Sequence, residues 1–164
     1  EFGPTGRLEE RQKLVLLDQV KAWCGDSRTK VTIKPVLDLN AELSAPGYEI
    51  PARIREQVIL RDQTCEHPWC ARPARGADVD HVMEYDHDAE AEGREQPGPT
   101  TSSNLAALCR FHHRLKTFTA WTYRMVAPGV FEWTSPHGHR YLRDRHGTRR
   151  LAEHDDPAEP PDRP

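Results

Sequence analysis

No apolar run in these 164 residues approaches the roughly 20 needed to cross a bilayer, so no membrane is expected among the partners. The opening residues, Glu1 to Arg7, lack the basic start and apolar stretch of a signal peptide, and a cytoplasmic setting is the expectation. Hydrophobic residues are only 36% and aromatic ones 7%, which leaves a modest core: one domain with appendages. A basic excess is missing too, since 26 acidic residues outnumber 23 Lys and Arg for a net charge of −3, which argues against a nucleic-acid binder. That objection weakens once the acids are located. Glu84, Asp86, Asp88, Glu90, Glu92 and Glu95 share one short stretch, and Glu153, Asp155, Asp156, Glu159 and Asp162 share the tail, so the rest of the body is basic.

What the chain does have is punctuation: 14 prolines and 10 glycines predict many turns, and no internal repeat is present. Leu8, Leu14, Leu17, Val20 and Trp23 predict an amphipathic helix over 8–24. Val31-Thr32-Ile33 and Val36 to Leu39, interrupted by Pro35, predict a strand or edge strand, and Ser44-Ala45-Pro46-Gly47 a turn or linker. A second helix is expected from Pro51, a favourable first helical position, through Ile54, Val58 and Leu60 to Asp62. Residues 63–80 read as a knuckle-like loop leading into a strand over Val79 to Met83.

The acidic stretch 84–103 reads as a long loop, followed by a helix that Ser102 or Ser103 caps and that begins near Asn104, with Leu105, Leu108 and Leu115 at helical intervals. Trp121 to Val126, Val130 to Thr134 and His139 to Leu142 alternate like strands around Pro128-Gly129 and Pro136-His137-Gly138, predicting a small meander whose aromatic residues form a core. The tail beyond Ala152 reads as disordered. The expected organisation is an N-terminal helix and strand segment over 1–45, a compact domain over 46–150 and an acidic tail over 151–164.

Four cysteines without a secretion signal suggest metal binding more than disulfides. Cys65-x4-Cys70 and Cys109-x2-His112 form two ligand pairs, and Cys3His is a standard tetrahedral set for structural zinc. The competing reading, ordinary buried cysteines, is weaker because two pairs at ligand spacing rarely coincide. Cys24 has no such partner and is expected as a packed thiol, and His67 is expected to face solvent.

Three further features surround this staple: Asp80-His81 on the expected strand, Asn104 at the expected helix start, and His113 beside the ligand His112. Phosphodiester hydrolysis needs water to lose a proton, which suits a histidine near neutral pH, and a stabilised leaving oxygen, which suits a divalent ion on oxygen and imidazole ligands. Adjacent strand residues face opposite ways, so Asp80 is assigned to the metal and His81 to the water. His113, about 100° around the helix from His112, is free to serve the same ion. Asn104 either ligates that ion or holds the His81 ring. Singly each signal is weak; together and in this order they are specific.

The run Arg61-Asp62-x2-Cys65-x4-Cys70, Asp80-His81-Val82, Gly98-Pro99-Thr100, Asn104-Leu105 and Leu108-Cys109-x2-His112-His113-x2-Lys116 closely resembles the HNH endonuclease family, over roughly residues 35–145. It is most similar to actinobacterial members in which such a module follows a larger helical domain. The resemblance implies an α+β fold: a small ββα-metal (His-Me finger) core with a structural zinc, flanking helices and a C-terminal β-meander. It implies His81 as general base, with Asp80 and His113 holding Mg2+, Mn2+ or another divalent transition metal, and Asn104 joining them or orienting His81. The substrate implied is DNA, nicked or cut through both strands. Two departures stand out: the long acidic 84–103 stretch, and Cys-x2-His where many relatives carry Cys-x2-Cys.

Arg110, Arg114 and Lys116 are expected to take phosphate contacts, with a solvated helix face as the alternative for each. The alternatives to a DNA endonuclease are a non-catalytic zinc-stapled DNA-binding module and a nuclease acting on RNA or branched DNA. The sequence leaves monomer and homodimer equally open.

Overall fold

The computed structural model describes residues 5–8, 13–32, 38–39 and 41–152. The chain divides into two compact units, Glu1–Leu37 and Asp38–Pro164. In the first, β1 (Thr5–Leu8) pairs antiparallel with β2 (Lys13–Leu16), and α1 (Leu17–Gly25) follows at once. The helix expected over 8–24 is thus confined to its second half, because the apolar run Leu14-Val15-Leu16 is drawn into strand pairing. Asp18 sits in the first turn of α1, where a carboxylate complements the helix dipole. No described residue of α1 is buried, so Cys24 is exposed rather than packed. The strand expected between Val31 and Leu39 lies in part outside the described residues, and Val31, Thr32, Asp38 and Leu39 belong to no strand.

The second unit begins with β3 (Ser44–Ala45) and α2 (Ala52–Asp62). Pro51 stands just outside α2 as its N-cap, and its carbonyl accepts from Arg55 N–H at 3.0 Å. Ile54, Val58 and Ile59 line the buried face of α2. Buried Gln57 donates its amide to the carbonyls of Asp38 (2.8 Å) and Ala41 (2.7 Å), which ties 38–45 to the unit that the sequence reading began only at 46.

After a 3-10 turn over Ala74–Gly76 come β4 (Asp78–His81), α3 (His87–Glu92), β5 (Thr100–Thr101), a second 3-10 turn (Ser102–Asn104), β6 (Leu105–Leu108) and α4 (Arg110–Phe118). Two expectations are corrected here. The 84–103 stretch contains a helix: Asp86 accepts from the N–H groups of Asp88 and Ala89, both at 2.9 Å, and Gly93 closes α3 in the left-handed conformation. The helix expected from Asn104 starts only at Arg110, because Leu105–Leu108 pair antiparallel with β4.

The four residues of β6 are good helix formers, yet all are fully buried, which a strand achieves by alternation. Leu105 and Ala107 pack with Ile54, Val58 and Ile59; Ala106 and Leu108 pack with Phe131 and Trp133. Leu105, Leu108, Phe131 and Trp133 each contribute about 1.5–3 kcal/mol by complete burial.

The meander holds β7 (Thr122–Ala127), β8 (Val130–Thr134), β9 (Arg140–Asp144) and an additional β10 (Gly147–Arg150), hydrogen-bonded in the order β10-β9-β8-β7. Tyr123 stacks on Trp133 with centroids 4.3 Å apart, so the aromatics do form a core. Leu151 is buried and its N–H donates to Arg140 O, whereas the rest of the expected tail, 153–164, lies outside the described residues. Among the described residues no helix is long and apolar enough to cross a membrane.

Candidate metal centre and the strand–helix site

Cys65 and Cys70 flank a turn in which Cys70 N–H donates to His67 O, and the turn is pinned at its base where Cys65 N–H donates to Arg72 O at 2.8 Å. Cys109 immediately precedes α4 and His112 lies in its first turn. The four side chains converge, with one ligand atom from each within 4.8 Å of the others. His112 Nδ1 is 3.5 Å from Cys65 Sγ and 3.4 Å from Cys109 Sγ. Around tetrahedral zinc, bonds of about 2.3 Å to sulfur and 2.0–2.1 Å to nitrogen place S and N about 3.6 Å apart, so this Cys3His cluster could hold a metal such as zinc. Burial lowers the pKa of His112, helped by the Arg72 charge, which favours the neutral ligating imidazole. Burial pushes the Cys65 thiol up, so its thiolate needs a cation beside it.

His67 does not face solvent. It is buried, its ring stacked on His112 at 3.8 Å and 7°, and burial lowers its pKa to about 4. Packing against Trp121 and Trp133, both distant in sequence from the knuckle, explains the difference.

The second cluster lies where β4 meets α4. Asp78 and Asp80, two apart on β4, share a face, opposite Leu108 and Ala106 of β6. His113 spans them: Nδ1 is 2.8 Å from Asp78 Oδ2, and Nε2 is 3.2 Å from Asp80 Oδ1. Burial works to raise the Asp78 carboxyl, but hydrogen bonds from His113 and Arg110 outweigh it and hold it below the usual carboxylate range. Asp80 Oδ2 accepts from Tyr123 OH at 2.7 Å and lies 3.4 Å from Lys116 Nζ. Lys116 also reaches His81 O at 3.3 Å and Glu84 at 3.5 Å. Its side chain is only 11% exposed, so it belongs to this cluster and not to an outer phosphate-facing surface.

His81 falls on the other face of β4, opposite Leu105. It is buried, its Nε2 is 2.9 Å from Thr100 Oγ1, and Tyr48 stacks on it with centroids 5.3 Å apart and planes 16° apart. Burial lowers the His81 pKa; the Asp80 carboxylate opposes that, while Lys116 and His87 add to it.

Asn104 does not touch the His81 ring; its amide is bonded to backbone. Its Oδ1 accepts from Met83 N–H at 2.9 Å, and its Nδ2 donates to Met83 O and Pro99 O, both at 3.0 Å, so its amide clamps the chain just beyond His81. Arg110 and Arg114 are exposed on α4, and Arg110 donates to Asp78 at 3.1 Å. Asp78 was legible in principle, two residues before Asp80 on one strand face; Thr100 stood in the Gly98-Pro99-Thr100 motif without a role, and Tyr48 and Tyr123 carried no local signal.

No family model matches this chain, and no solved structure matches it. Two proteins of Mycobacterium tuberculosis are similar to it. The uncharacterized protein Rv3776 is 41% identical over 99 residues, covering 60% of this chain and 17% of that protein. The uncharacterized protein Rv2100 is 41% identical over 105 residues, covering 63% of this chain and 17% of that protein. The chain thus spans only a small part of the length of these relatives.

Proposed function

We infer that the second unit is a metal-dependent endonuclease of the HNH type, hydrolysing DNA phosphodiester bonds, with the antiparallel pair of β4 and β6 and the following α4 as its ββα-metal core. The observation that carries this reading is the His113 ring held between Asp78 and Asp80, on the strand whose next residue is His81. In the tautomer that donates Nδ1–H to Asp78, His113 Nε2 turns a lone pair toward Asp80 Oδ1. Two lone-pair atoms 3.2 Å apart suit neighbouring ligands of an octahedral cation, which stand about 3.0 Å apart for bonds of about 2.1 Å. Asp80 and His113 would hold that ion, with Asp78 orienting the imidazole from behind. A divalent ion there, Mg2+ or Mn2+, supplies positive charge for the leaving 3′ oxygen.

The chain's own residues do the rest. His81, its Nε2–H given to Thr100, keeps the Nδ1 lone pair to take a proton from the attacking water, and its lowered pKa leaves that nitrogen free at neutral pH. Tyr48 stacking and the Thr100 bond fix the ring plane. Lys116 adds positive charge beside Asp80. Arg110 and Arg114, exposed on α4, face solvent where phosphates approach.

The test is nicking of supercoiled plasmid with Mg2+ or Mn2+ by wild type and His81→Ala. Loss of about 10²–10⁴-fold in rate is expected for the variant. Equal cutting by both would sink the assignment.

A further inference from the structure

The outer face of α4 carries residues that the chemistry above does not use. Phe111 is 61% exposed and Phe118 73% exposed, an unusual outlay of aromatic surface for one short helix. Seven residues apart, they lie on one helical face with a rise between them of about 10 Å. Arg114 stands between them in sequence, its guanidinium carbon 5.9 Å from the Phe118 ring centroid.

Two grooves run along this face. The larger, about 680 Å³, is lined by Arg72, Arg110, Phe111, Arg114, Leu115 and Thr119. The smaller, about 350 Å³, shares Arg110 and Arg114 and continues to His113, Thr117 and Phe118. Among the described residues no carboxylate lines either groove, and the Asp78 partner of Arg110 leaves that arginine side chain 76% exposed. The surface therefore alternates cationic and aromatic groups, and it opens at one end onto the histidine of the strand–helix site.

We propose that this face binds an unpaired segment of single-stranded DNA flanking the scissile phosphate, with bases stacked on Phe111 and Phe118 and phosphates paired with Arg72, Arg110 and Arg114. The choice of a nucleic acid rests on the nuclease reading above; the choice of an unpaired strand rests on the two rings. A phenyl ring cannot pair with a phosphate, and in a duplex every base face is covered by its neighbours unless the stack is opened. An unpaired base presents the face that an aromatic side chain binds, and arginines track the backbone beside it. An apolar protein partner would bring no use for three guanidinium groups, of which even the Asp78-bound Arg110 keeps most of its side chain exposed.

The experiment is fluorescence anisotropy of a labelled oligothymidylate and of a DNA duplex of equal length, at one salt concentration. The His81→Ala protein is used without added Mg2+ or Mn2+, so that nothing is cut. The single strand binds more tightly. Phe111→Ala with Phe118→Ala weakens strand binding about ten- to a hundredfold and leaves duplex binding within about twofold, whereas Phe111→Trp keeps strand binding. Far-UV circular dichroism of the double variant matches the parent, since both rings are exposed.

Equal affinity for strand and duplex, or an oligouridylate bound more tightly than the oligothymidylate, overturns the proposal. So does a double variant that weakens strand and duplex equally or weakens neither. Plasmid nicking by wild type is read separately: a strand binder that cuts nothing upholds the groove while removing the nuclease, and a nuclease without strand preference does the reverse.

Discussion

The Tyr123 hydroxyl donates a 2.7 Å hydrogen bond to Asp80 Oδ2, so the C-terminal sheet reaches across 43 residues of sequence to hold a carboxylate of the strand–helix site. Burial and the neighbouring Asp80 charge push the Tyr123 phenol well above its ordinary range, which keeps it a donor. Tyr123→Phe removes only that donor, because Phe retains the stacking on Trp133. The fold should lose about 1 kcal/mol. The Mn2+ concentration needed for half-maximal nicking should rise about ten- to a hundredfold, with the rate at saturating metal little changed. A metal titration of nicking checks this, and an unmoved midpoint would show that Tyr123 only packs.

Zinc removal should unfold the second unit where loss of the base does not. Cys65 and Cys70 lie in a loop and Cys109 and His112 at the start of a helix, so an ion bound by all four would join the two and its binding free energy would be folding free energy. Purified protein should hold about one equivalent of zinc. Cys109→Ser should lose the metal and much of the thermal transition, while His81→Ala, which leaves the Cys3His cluster intact, should keep the metal and a cooperative transition at a somewhat lower temperature. If both variants melted alike, the division into a structural and a catalytic cluster would be wrong.

The four residues of the Cys3His cluster were legible because ligand spacing is local, and the meander because Pro128-Gly129 and Pro136-His137-Gly138 punctuate alternating strands. The strand at Leu105–Leu108 was not, since Leu and Ala favour helices and only tertiary burial on both faces overrides that preference. The α3 signals, Asp86 as cap and Gly93 as terminator, were present but masked by an acidic composition that reads as loop. Thr100 was legible as part of Gly98-Pro99-Thr100 but its bond to His81 was not, and Tyr123 was out of reach, because these roles arise 19 and 43 residues from their partners. The opposition of Asp80 and His81 across β4 followed from strand alternation alone.

Gly98 is a close backbone approach. A Cβ built there would lie 2.1 Å from Glu84 O and 2.5 Å from Met83 O, and neither atom is a side chain that could swing aside. Asn104 also holds Met83, through both its N–H and its carbonyl. Gly98→Ala should therefore shift 83–84, directly after His81, and cost about 1–3 kcal/mol. Urea denaturation reads the stability, and nicking should fall as well. A variant as stable as wild type would mean that this chain segment moves freely.

Glu132 gives the fold an acid-sensitive anchor away from both clusters. It is buried, and it accepts from Arg140 Nε at 2.6 Å and from Arg124 Nη2 at 2.7 Å. Burial alone would raise its carboxyl, but the hydrogen bonds from Arg140 and Arg124 outweigh it and hold the value below the usual glutamate range. A depressed folded-state value contributes stability that is fully present above the unfolded value and lost as pH falls through the folded one. Glu132→Gln should thus cost about 1–2 kcal/mol at neutral pH, because two guanidinium groups lose their charged acceptor. Below about pH 4 the cost should shrink as wild-type Glu132 takes up its proton. Zinc loss in acid lowers both melting curves together, so the difference between the two proteins is the quantity to measure. A gap that stays constant from neutral to acid pH would refute the ionised role of Glu132.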